Sequence, residues 1–82
     1  MEDWSKYKLN FRYMMLSRLK QDCDYYLGNG NRSTGSLWAR NEADQITNMI
    51  ALWDTFEQED KPEWLAKDDI VNYAQRMGAD HE

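Results

Sequence analysis

Apolar residues recur at Phe11, Met15, Leu16, Leu19, Cys23, Tyr26 and Leu27, in steps of mostly three and four. That period marks one face of an α-helix, and the alternation of a half-buried strand fails across the same stretch. Arg12, Arg18, Gln21, Asp22 and Tyr25 occupy the other face, so the pattern predicts a first helix over about 5–27. A second stripe at Ile46, Met49, Ile50, Trp53 and Phe56 predicts a helix over about 42–57, with Asn41 as its N-cap and Glu42 and Asp44 complementing the helix dipole. A third, at Ile70, Tyr73, Ala74 and Met77, predicts a helix over about 67–77 ending at Gly78. The expected fold is all-α: a small three-helix domain, one domain over 1–82, with a long Gly/Asn-rich loop between helices one and two.

The punctuation between the stripes supports this division. Gly28, Asn29 and Gly30 tolerate the left-handed conformation that ends a helix. Pro62 lacks an N–H and restricts the residue before it, so Lys61-Pro62 interrupts the second helix. The last residues, Gly78 to Glu82, are expected to fray, as are the first few unless Trp4 or Tyr7 packs on the core.

Length and composition narrow the picture further. A chain of 82 residues forms one small core, and four Trp, five Tyr and two Phe compensate for its size by the large apolar area each ring buries. The single cysteine excludes an internal disulfide and leaves no zinc-spaced Cys/His set. No apolar run approaches membrane-spanning length and no secretory apolar segment opens the chain, so a cytoplasmic location in a bacterial host is expected. The net charge of −5 is divided unevenly, with +3 over residues 1–40 and −8 over residues 41–82. The second half repels phosphates and attracts basic surfaces over about 8–10 Å in cellular salt.

Candidate chemistry is sparse. The loop "GNGNRSTG" has clustered glycines but no lysine and no preceding strand, and it follows a helix end of negative partial charge, so its expected role is to reverse the chain, not to cradle phosphate. Asp22 and Asp24 point about 200° apart on a helix and do not act on one atom. Cys23 lies in the apolar stripe with no histidine near it in sequence, and His81 sits in the tail. No catalytic residue, cofactor or metal is expected. Asp54, Glu57, Glu59, Asp60 and Glu63 form the densest charge cluster, readable either as a solvated helix end or as a carboxylate array for a basic groove on another protein. Trp38 is a core residue if buried and an interface anchor if exposed beside Arg32 and Arg40.

"YMMLSRLKQDCDYYLGNGNR", "LWA", "QITNMIALWDTF" and "KPEWL" together resemble the eleventh class of large polyvalent protein-associated domains, found in proteins of phages and conjugative elements, often of Firmicutes. The similarity spans about Tyr13 to Leu65. Its most specific parts are Leu16 to Arg18, Asp22-Cys23, Tyr25 to Gly28, Gly30-Asn31-Arg32, Leu37-Trp38 and Pro62 to Leu65. The resemblance implies context, not mechanism: an accessory product of a mobile element acting inside its host. Asn31 and Arg32 match the pattern, with loop-shaping and recognition both open.

The leading expectation is therefore a non-enzymatic protein that binds and modulates a host or defence-system protein with a basic surface, an anti-CRISPR-type inhibitor of a defence nuclease being its sharpest form. The expected contact residues are Asp54, Glu57, Glu59, Asp60 and Glu63 with Asn31, Arg32 and Trp38. Two alternatives stand beside it. One is a nucleic-acid module using Lys6, Lys8, Arg12, Arg18 and Lys20 with Tyr7, Tyr13 and Tyr25; the other is a homo-oligomeric structural module.

Overall fold

The computed structural model describes residues 3–79. Three α-helices carry the architecture: α1 Leu9–Leu27, α2 Glu42–Asp54 and α3 Lys67–Met77, with short 3-10 turns at Trp4–Lys6, Thr34–Ser36 and Gln58–Asp60. The fold is all-α, with no strand among the described residues. Leu16, Leu19, Cys23 and Tyr26 of α1 meet Ile46, Met49 and Leu52 of α2 and Ile70, Tyr73, Ala74 and Met77 of α3 in one core, which Trp4, Leu37, Phe56 and Leu65 close from the connecting segments. The helix α2 lies at the centre, packed on both neighbours more extensively than these pack on each other.

The start of the chain departs from a continuous helix beginning near residue 5. Asp3 accepts from the Ser5 N–H to start a 3-10 turn, and Tyr7 and Lys8 are extended before α1 begins at Leu9. This break lets Trp4 turn inward, where it is buried and donates its indole N–H to the Asn48 side chain at 3.0 Å. Phe11, expected in the buried stripe, is instead 36 % exposed and rests against Tyr7 with ring centroids 4.9 Å apart. At the other boundary, α2 ends at Asp54 and not near 57, because Thr55 turns its hydroxyl back onto the Leu52 carbonyl at 2.6 Å and closes the last turn.

The connection from Gly28 to Asn41, expected as one long Gly/Asn-rich loop, is divided into short hydrogen-bonded turns. The Gly30 and Arg32 N–H groups donate back to the carbonyls of Tyr25 and Tyr26, at 2.7 and 2.8 Å, and the chain then passes through the 3-10 turn Thr34–Ser36. Gly28, with φ −110°, is not left-handed; Asn31 and Arg32 are, at φ 53° and 59°. Gly30 has a different reason to be glycine. A Cβ there would stand 2.8 Å from the Tyr25 carbonyl oxygen and 2.9 Å from its ring, closer than carbon atoms tolerate.

A buried amide pins this connection to the bundle. Gln45 has no exposed surface; its side-chain oxygen accepts from the Ala39 N–H at 3.0 Å, and its nitrogen donates to the Leu19 carbonyl at 3.2 Å. One α2 side chain thus holds both the connection and α1, and each bond satisfies a polar group that would otherwise be costly to bury. The third helix ends at Gly78 in the left-handed conformation, φ 76°, which an L side chain adopts only with strain.

Gly30→Ala forces the chain away from Tyr25 and is expected to cost about 1–3 kcal/mol in urea denaturation. Gly35→Ala, whose added carbon meets only the Ser33 hydroxyl at 3.5 Å, is expected to stay within about 0.5 kcal/mol of wild type. Equal stability of the two variants would contradict the close approach at Gly30.

Candidate functional site: an acidic aromatic groove

The residues between α2 and α3 form the most distinctive surface of the domain. Residue Lys61 organises it. Its ammonium turns back onto the end of α2, donating to the carbonyls of Phe56 at 2.7 Å and Trp53 at 3.2 Å, and lies 4.1 Å from the Trp53 ring centroid. A cation there gives the Trp53 carbonyl a second donor beside the Phe56 N–H and meets the negative end of the dipole. The Trp53 indole N–H in turn donates to the Leu65 carbonyl at 3.0 Å, fixing the far end of the connection. Lys67 lies 5.8 Å from the same ring and pairs with Asp54 at 3.2 Å, both side chains about half exposed.

These contacts leave a groove of about 360 Å³ lined by Tyr13, Glu59, Asp60, Lys61, Pro62, Glu63 and Trp64. Tyr13 forms a fixed wall: its ring stacks on Phe56 with centroids 4.7 Å apart and planes 13° apart, and its hydroxyl donates to the Asp60 backbone carbonyl. The Arg12 guanidinium lies 5.4 Å from the Phe56 ring centroid. Trp64 is 46 % exposed. Among the described residues, the side chains of Glu57, Glu59, Asp60 and Glu63 make no ion pair. The groove therefore presents carboxylates beside aromatic faces while the lysine of the same segment faces inward.

The residues singled out in the sequence fall into separate places. Glu57, Glu59, Asp60 and Glu63 lie along the connection between α2 and α3, while Asp54 is engaged by Lys67. Arg32 belongs to the opposite end of α1. It lies 5.4 Å from the Tyr26 ring centroid and donates to the Arg76 carbonyl at 3.0 Å, fastening the first connection to the end of α3. Tyr13 and Tyr26 are thirteen residues apart on α1, about 20 Å along the axis. Asn31 is exposed and shapes the turn by its backbone. Trp38 is 39 % exposed, packs on Trp4 with centroids 5.6 Å apart, and its backbone N–H donates to Asp22 at 3.0 Å. Sequence reasoning did not single out Tyr13 and Trp64 as partners of the acidic run. The signal for Trp64 was its position amid acids just after a proline; for Tyr13 there was none, since only the tertiary fold brings it there.

The basic residues of the first helix are largely engaged. Arg12 donates to the carbonyls of Tyr7 at 2.9 Å and Thr55 at 3.1 Å, Arg18 pairs with Asp22 at 3.7 Å, and Lys20 with Asp24 at 3.0 Å. Cys23 is buried, and desolvation, reinforced by Asp22 and Asp24, pushes its thiol up to about 12. It is protonated at neutral pH and unsuited to nucleophilic attack. Among the described residues no cluster of three His, Cys, Asp or Glu is placed to hold a metal, and no helix is long and apolar enough to cross a membrane. His81 lies outside the described residues.

Two phenol–carboxylate bonds hold the helices in register. Tyr26 donates to Glu42 and Tyr73 to Asp24, each at 2.5 Å. Burial raises the Asp24 pKa, but the Tyr73 hydroxyl and the Lys20 ammonium outweigh it and hold the carboxyl below its ordinary value. The Tyr26 hydroxyl and the Glu42 backbone N–H do the same for Glu42. Burial first, and then Asp24, push the Tyr73 phenol up to about 12.

Set beside known families, this all-α domain matches the family model described as large polyvalent protein-associated domain 11, over residues 9–77. The chain belongs to that family. Comparison with curated proteins and with solved structures finds no significant match.

The depressed carboxyls set the pH response. Their folded pKa lies below the unfolded one, so their contribution is fully present above the ordinary carboxylate range and is lost as pH falls through and below that range to the folded values. Tyr73→Phe removes the Asp24 bond and is expected to cost about 1 kcal/mol at pH 7, discounted for the half-exposed carboxylate. In urea titrations the difference between wild type and this variant should shrink as pH falls below the ordinary carboxylate range. A pH-independent difference would contradict the linkage.

Proposed function

We propose that this domain is a non-enzymatic binding module of a mobile genetic element, which docks its acidic connection between α2 and α3 on a basic surface of a host or defence-system protein. The observation that carries this reading is the inward turn of Lys61, which leaves Glu57, Glu59, Asp60 and Glu63 without internal counter-charges. Carboxylates placed in this way raise association rates with basic partners and penalise acidic ones. Membership in a polyvalent protein-associated family supports a role as an accessory module. A defence nuclease is the target class this favours, because a nucleic-acid groove is necessarily basic.

Binding to nucleic acid itself has less support. Arg12, Arg18 and Lys20 have partners within the domain, Tyr13 is stacked on Phe56, and so the residues needed for a basic, aromatic track are not jointly free.

Capture from a bacterial host lysate, with wild-type domain and a Glu57→Gln, Glu59→Gln, Asp60→Asn, Glu63→Gln variant as parallel baits, tests the proposal. Partners held by the wild type should be lost by the variant and released by added salt. An identical set of proteins on both baits would refute a docking role for these carboxylates.

A further inference from the structure

We infer that the groove between Tyr13, Pro62 and Trp64 is a seat for a single arginine side chain of the partner, which gives the acidic surface a specific anchor. The inference rests on the protein-binding reading above and names the group that reading requires at its centre. Three features point to a planar cation. The rim carries Glu59, Asp60 and Glu63, none of them in an ion pair among the described residues, against one lysine, so the lining has three carboxylates to one ammonium and a net charge of −2. Its walls include two aromatic side chains and a proline ring: Tyr13 is held by Phe56 and the Asp60 carbonyl, and Trp64 is nearly half exposed. The lysine of the lining is already engaged, its ammonium bonded to the Trp53 and Phe56 carbonyls and lying on the Trp53 ring.

Trp64 is the decisive residue. The indoles of Trp4 and Trp53 both donate hydrogen bonds within the fold, at 3.0 Å each, whereas those of Trp38 and Trp64 make none among the described residues, and of these two only Trp64 lies on the groove. An exposed ring with a free N–H beside three carboxylates does little for the core, whose closure at this point falls to the neighbouring Leu65. It offers a cation an accessible aromatic ring. Arginine fits better than lysine because a planar guanidinium can lie on an aromatic face while its edges donate to carboxylates at the rim; a compact ammonium cannot do both.

The test is a titration of the ¹⁵N-labelled domain with N-acetyl-arginine amide, with N-acetyl-citrulline amide as its neutral isostere and N-acetyl-lysine amide as the competing cation, all at constant ionic strength. Arginine amide should shift the Trp64 Nε1–H resonance and the backbone amides of 59–64 saturably, with a dissociation constant on the order of 1–10 mM, and should bind at least about fivefold more tightly than either competitor. Trp64→Ala keeps every carboxylate and should abolish saturation, while the Trp4 and Trp53 indole signals report that the fold persists. Glu63→Gln, which alters only an exposed side chain, serves if the Trp64 variant does not fold, and should weaken arginine binding severalfold. Shifts that do not saturate, or that citrulline or lysine amide reproduces equally, overturn the seat. So does a lysate partner captured equally by wild type and Trp64→Ala but lost by the charge-neutralised bait, an outcome that leaves the acidic surface standing as the docking site without its anchor.

Discussion

The ammonium of Lys61 is the contact on which the acidic surface depends. One cation bonds the Trp53 carbonyl in the last turn of α2 and the Phe56 carbonyl just beyond it and lies on the Trp53 ring, so the same interaction caps a helix, sets the path of the connection and keeps the ammonium out of ion pairs with the groove's carboxylates. Were Lys61 to face outward, Glu59 and Glu63 would have a counter-ion three or fewer residues away and the carbonyls of α2 would lose a partner. Helix capping and surface charge are therefore coupled, and the capping requirement favours a surface that is negative and open.

Rigidity makes that surface usable for recognition. Gln45 ties α1 and the first connection to α2 from within the core, Trp4 bonds Asn48 across the bundle, and the phenols of Tyr26 and Tyr73 bond carboxylates on neighbouring elements. A small core leaves little free energy in reserve, and such directional bonds restrict the ways in which it can repack. The backbone that carries the carboxylates is thereby fixed, so that only their side chains remain to be ordered by any contact they make.

The helices were legible in the sequence because each has a clear period, and the buried sets of Leu16, Leu19, Cys23 and Tyr26, of Ile46 and Met49, and of Ile70, Tyr73 and Met77 follow from it. What the stripes could not convey is how side chains outside them are used. Phe11 obeys the helical spacing yet faces outward, since the chain breaks at Tyr7 and Lys8 and Trp4 fills the core in that region. Gln45 reads as polar and therefore exposed, but its two acceptor and donor sites match two buried backbone groups that come together only in the fold. The glycines of the first connection were expected to take the left-handed conformation, whereas Gly30 answers to contact with Tyr25 and the left-handed positions fall to Asn31, Arg32 and Arg40. The acidic run was visible as a run; its union with Tyr13 spans 47 residues to Asp60 and belongs to tertiary structure alone.

The most direct measurement is the side-chain NMR of Lys61. Ring current from an indole 4.1 Å away should displace its terminal methylene protons well upfield, with nuclear Overhauser contacts to the Trp53 ring that persist when salt is added. Methylene shifts typical of a solvated lysine, with contacts to Glu59 or Glu63 in place of Trp53, would contradict an open acidic groove.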